Sequence, residues 1–111
     1  MRHAILAAAL LFAGPAHALT AKGLHDNCVD NGDIASLRHV ECMSYINGVL
    51  DDLTVGVGSD TPSLPRICQP DTNLGTITDI FIAWGDRYPQ YLDRNASLGV
   101  VASLVEAYPC K

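Results

Sequence analysis

The chain has almost no lysine. Only Lys22 and Lys111 occur in 111 residues, and seven Lys plus Arg face twelve Asp plus Glu, for a formal charge of −5. A polyanion finds little to hold on such a surface, so nucleic acid and an anionic membrane face are poor partners. Long hydrophobic runs are missing as well. The longest, "AILAAALLFA", is ten residues, and a spanning helix needs roughly 20. There is no glycine-rich phosphate loop, no nucleophile elbow and no paired-carboxylate signature, so the usual marks of catalysis are absent. Internal repeats and low-complexity tracts are also missing, and the length suits one small domain.

What is present begins with the first eighteen residues. Met1-Arg2-His3 is basic, the ten-residue apolar run follows, and Ala16-His17-Ala18 is small-x-small. That order is a cleaved secretory signal. Cleavage after Ala18 would leave residues 19–111 as the mature domain. Arg2 would leave with the signal, making the remainder more acidic still.

Export changes how the cysteines are read. Cys28, Cys42, Cys68 and Cys110 all lie in the mature part. An even number in a short exported chain points to disulfides, which a domain with a small core needs. Four cysteines allow three pairings.

The apolar spacing is helical almost throughout. Thr20 is placed to cap a helix running to Cys28. "VDNGD" breaks the pattern. A long helix is predicted from Ser36 to Val57, its stripe built by Leu37, Val40, Met43, Ile46, Val49, Leu50 and Leu53. "GSDTPSLPRICQP" is irregular, since Pro62, Pro65 and Pro70 interrupt any helix. Asp71 or Thr72 is the predicted cap of a third helix carrying Leu74, Ile77, Ile80, Phe81 and Trp84. A fourth runs from Tyr91 to Tyr108, with Leu98, Val101, Leu104, Val105 and Tyr108 as its inner face. The expected architecture is all-α, a small disulfide-stapled bundle of three to four helices.

A short connection makes the last two helices antiparallel neighbours. Cys68 precedes the third and Cys110 follows the fourth, so these ends lie together and Cys68–Cys110 is the natural bridge. Cys28 and Cys42 then pair across a short turn.

In "ECMSYINGVLDD", Cys42, Ile46, Val49 and Leu53 share the core side, while Ser44, Asn47, Gly48 and Asp51 point the other way. Glycine inside a helix costs about 1 kcal/mol relative to alanine, so Gly48 marks a place where another surface comes close. Taken singly, Gly48 is a tolerated glycine and Asp51 half of a solvated Asp51–Asp52 pair. Taken together they outline a contact surface. The Gly58 to Arg66 segment, stiffened by proline and polar at Asp60, Thr61 and Ser63, is a second candidate for partner contact, against the plain reading of a surface loop.

Several residues combine into a resemblance. "C-x2-Y-x2-G-x2-D" at Cys42 to Asp51, "IC-x-P" at Ile67 to Pro70, "YP" at Tyr88-Pro89 and the terminal "YPC" at Tyr108 to Cys110 resemble the Rap/Tai family of type VI secretion amidase-effector immunity proteins, over nearly the whole mature chain. The resemblance implies a non-enzymatic helical domain of the periplasm. It implies a protein partner, a cognate peptidoglycan amidase whose active site is blocked, a possible homodimer, and no cofactor.

Three other readings compete. His25 and His39 are the mature chain's neutral-pH acid–base groups, with Asp26 and Glu41 near them in sequence. Nothing else in the sequence supports catalysis. His25-x2-Cys28 and His39-x2-Cys42 would together supply a Cys2His2 zinc set, but an oxidising compartment takes the same sulfurs for disulfides. A periplasmic acid-stress chaperone of the HdeA type, opening as its carboxylates protonate, is the alternative function. Asn95-Ala96-Ser97 fits a glycosylation acceptor, but it falls within a predicted helix.

Overall fold

The computed structural model describes residues 18–30, 36–57, 66–71 and 73–110, without the side chains of 54–57. Among the described residues there are four α-helices, α1 (Ala21–Val29), α2 (Leu37–Val57), α3 (Leu74–Arg87) and α4 (Ala96–Ala107), with a 3-10 turn at Pro89–Tyr91. No strand occurs among the described residues. The only β-type pairing among them is an isolated bridge between Thr20 and Asn95. The architecture is all-α, as the spacing implied. Of the region read as the signal, residues 1–18, residues 1–17 lie outside the described residues.

Capping explains the helix starts. Thr20 accepts the Gly23 N–H at 3.1 Å, and Ser36 accepts the His39 N–H at 3.3 Å. These side chains satisfy N–H groups that the first helical turn leaves without partners. The start of α3 differs from expectation. Asn73 is the cap, its Oδ1 accepting from Gly75 at 2.9 Å and Thr76 at 3.3 Å. Asp71 instead accepts the Asn73 N–H at 2.7 Å, one step upstream. Thr72 lies outside the described residues.

The fourth helix also starts later than predicted, at Ala96 rather than Tyr91. Tyr91 ends the 3-10 turn, and the N-terminal strap explains why. Ala21 N–H donates to Arg94 O, Lys22 N–H to Leu92 O and Ala96 N–H to Leu19 O, each at 2.8 Å. Those carbonyls are taken by another segment, so the backbone of 92–95 is not free to close helical turns.

Leu24, Cys42, Ile46, Ile77, Phe81, Val100 and Leu104 form the centre of the core. Two faces differ from the expected ones. In α2, Leu37 is 80% and Val40 49% exposed. Both precede Cys42 and lie at the tip of the α1–α2 hairpin, beyond the bridge that ties the helices. In α4, Leu98 is 57% exposed, while Ala96, Gly99, Val100 and Ser103 face inward. Small residues line that face because α4 runs close. A Cβ on Gly99 would sit 3.1 Å from Ala21 Cβ and 3.4 Å from both Phe81 and Trp84 ring carbons.

The buried hydroxyls are satisfied locally. Thr78 Oγ1 donates to Leu74 O at 2.8 Å and Ser103 Oγ to Val100 O at 2.7 Å. The cysteines pair as Cys28–Cys42 and Cys68–Cys110, with Cα atoms 5.1 Å apart in each. The first closes the α1–α2 hairpin. The second joins the segment entering α3 to the end of α4, where Cys68 N–H also donates to Tyr108 O at 2.9 Å.

Candidate partner-binding surface

α2 presents two faces because its inner positions recur about every 3.6 residues. Cys42, Ile46, Leu50 and Leu53 are buried. Glu41, Ser44, Asn47, Gly48, Asp51 and Asp52 are exposed. Gly48 and Asp51 are three positions apart and therefore neighbours on the helix surface. No Lys or Arg occurs from His39 to Val57, so the charges along this face are all carboxylates. Asn27 Nδ2 donates to Glu41 Oε2 at 3.4 Å, fastening α1 beside the start of the face.

Gly48 has a particular environment. A Cβ placed there would meet nothing within 4 Å. No other part of the described chain approaches it, so close packing within the protein does not account for a glycine in mid-helix. Gly85 on α3 is the opposite case. A Cβ there would lie 2.6 Å from His25 Cδ2. Gly85 lets α1 and α3 close far enough for His25 Nε2 to reach Asp86 Oδ1 at 3.0 Å, with the imidazole edge-on to Phe81. His25 therefore joins helices.

Of the five residues picked out for partner contact, the structure brings Gly48 and Asp51 together on one exposed face. Asp60, Thr61 and Ser63 lie outside the described residues. The zinc reading loses its sulfurs, since Cys28 and Cys42 are bonded to each other. Among the described residues no three His, Cys, Asp or Glu side chains group as a metal site. None of the described helices is long and apolar enough to cross a membrane.

Sequence reasoning missed one concavity. Trp84, Tyr88, Tyr91, Leu98 and Gly99 line a depression of about 430 Å³, with Arg94 and Glu106 among its polar lining residues. Trp84 and Tyr91 stack with centroids 6.3 Å apart, and Tyr88 lies 6.0 Å from Tyr91. Arg87 lies over Tyr88 at 5.6 Å and pairs with Glu106. The signal was available as aromatics at 84, 88 and 91, one turn apart. The concavity exists because Tyr91 ends a 3-10 turn and Leu98 is exposed, rather than starting a helix and joining the core.

The chain matches no curated protein and no solved structure. A family model described as Rap1a immunity proteins matches residues 20–110, which takes in all four helices and both bridges. With that span covered, this chain belongs to the family of Rap1a immunity proteins.

Proposed function

We propose that this chain is an exported immunity protein that binds a secreted peptidoglycan amidase and covers its active site. The observation that carries the reading is family membership across residues 20–110. Two disulfides in so short a domain suit an oxidising compartment. Cleavage after Ala18 would keep Leu19, whose carbonyl accepts the Ala96 N–H at 2.8 Å.

The partner surface is the outer face of α2, centred on Gly48 and Asp51. Open space over Gly48 supports this. A partner's backbone or side chain would come closest there, and the stability lost to a mid-helix glycine would be recovered in the complex. The carboxylates along the same face favour a partner with basic groups opposite them, which raises the encounter rate and fixes orientation. A rigid helix also loses little freedom on binding.

The test uses residues 19–111 and a secreted peptidoglycan amidase effector from the same organism. Expected are a complex that survives gel filtration and complete loss of peptidoglycan hydrolysis at saturating immunity protein. Gly48→Arg should abolish inhibition while its melting temperature stays near that of the parent. Hydrolysis that continues unchanged at saturation defeats the amidase assignment. Full inhibition by Gly48→Arg moves the contact off α2.

A further inference from the structure

The two bridges differ in where they sit. Cys28 and Cys42 are 5% and 0% exposed and belong to the core cluster. Cys68 and Cys110 are both exposed residues. Thiol–disulfide exchange requires a thiolate to reach a sulfur, so access selects which bond is attacked. We propose that Cys68–Cys110 is a thiol-exchange site, opened by an external dithiol while Cys28–Cys42 stays closed. The proposal does not depend on the amidase assignment.

The exchange balances without any other reactant. One thiolate of the dithiol attacks a sulfur of the pair, forming a mixed disulfide and expelling the other cysteine as a thiolate. The dithiol's second thiolate then displaces the remaining cysteine. The dithiol leaves as a disulfide, and two electrons with its two protons end on Cys68 and Cys110.

The surroundings favour opening at this place. Gln69, next to Cys68, has φ 53°. That is the left-handed region, which a residue with a Cβ enters at some cost. Pro70 favours extended backbone at the residue before it, so opening the neighbouring bridge would give that backbone freedom to leave this region. The released region is small. Ile67 is 2% exposed and remains anchored in the core. Tyr108 packs against the core and still caps α4 through its N–H to Leu104 O at 2.8 Å. Reduction therefore removes the covalent tie between the end of α4 and the segment leading into α3, leaving the Cys68 N–H to Tyr108 O hydrogen bond, without requiring any helix to melt. By contrast, no dithiol reaches Cys28–Cys42 until α1 separates from α2.

The test treats the native processed protein with increasing dithiothreitol, quenches with iodoacetamide and maps the labelled peptides, while far-ultraviolet circular dichroism follows helicity. Cys68 and Cys110 should label at least about tenfold faster than Cys28 and Cys42, with helicity retained, as expected for opening without global unfolding. A Cys68→Ser/Cys110→Ser double variant should keep its helicity and show no labelling over the same interval. Labelling of all four cysteines together as helicity falls would overturn the proposal. So would earlier labelling of Cys28 and Cys42, or rapid labelling of those two in the double variant.

Discussion

Both disulfides hold their Cα atoms 5.1 Å apart, yet they do different work. Cys28–Cys42 closes a separation of 14 residues inside the core, against Leu24 and Ile46. Cys68–Cys110 closes 42 residues at the surface. A bridge restricts the unfolded chain more when its loop is longer. A buried bridge adds burial and packing to that restriction. The surface bridge thus acts mainly on the unfolded state, and the buried bridge acts on both states. The same division separates Gly85, squeezed between α1 and α3, from Gly48, open to solvent.

The sharpest way to break this comparison is to remove each bridge. Cys28→Ala/Cys42→Ala should cost about 5 kcal/mol, of which about 3 is loop closure and about 2 lost burial. Cys68→Ala/Cys110→Ala should cost about 4 kcal/mol, all of it from the longer loop. Urea unfolding of both measures the difference. A larger loss at the surface bridge would mean that chain entropy outweighs burial here.

The glycines come next. Gly85→Ala should destabilise by about 2 kcal/mol, because its methyl must displace His25. Adding His25→Ala should recover part of that loss, and a double-mutant cycle reads the coupling. Purely additive losses would mean that the imidazole is not what the methyl meets. Gly48→Ala should stabilise by about 1 kcal/mol, since a better helix former enters empty space. Thermal unfolding distinguishes the opposite signs.

The smallest effect belongs to the exposed end of α1. Lys22 Nζ reaches Asp26 Oδ2 at 2.8 Å. That hydrogen bond, with a lesser coulombic contribution from the same ammonium, holds the Asp26 carboxyl below its ordinary value. A depressed carboxyl stabilises the fold above its unfolded value and stops doing so as pH falls through the folded one. Lys22→Gln should therefore remove a slight loss of stability seen only on acidification below the ordinary carboxylate range. The pair is exposed, so the change should stay close to the resolution of a pH-dependent melt and shrink further in high salt.

The helices were legible because their signals are local. Thr20 caps as read, the long helix starts within one residue of Ser36, and Pro89 follows the end of α3. The all-α bundle and the family were legible as well, the latter from the order of "C-x2-Y-x2-G-x2-D", "IC-x-P" and "YPC". Inner faces were less so. Leu98 and Leu37 are apolar and fit a stripe, yet both face water. Gly99 and Ser103 looked neutral and are buried, because close helix approach selects for size as well as for hydrophobicity. Of the candidate contact surface, the pattern found Gly48 and Asp51 on one face. The depression at Trp84 and Tyr91 went unseen, since its wall comes from two helices and the turn between them.

Sequence alone determined the all-α character, the cap at Thr20 and the acidic, cysteine-paired nature of the domain, because each follows from neighbours a few positions apart. Only the tertiary structure decided that α4 begins at Ala96, that Gly85 is enclosed while Gly48 is open, and that one bridge is buried and the other exposed. Those outcomes depend on which surfaces meet across long stretches of chain, and a strap, a close approach or a covered sulfur leaves no periodic trace in the residues that make it.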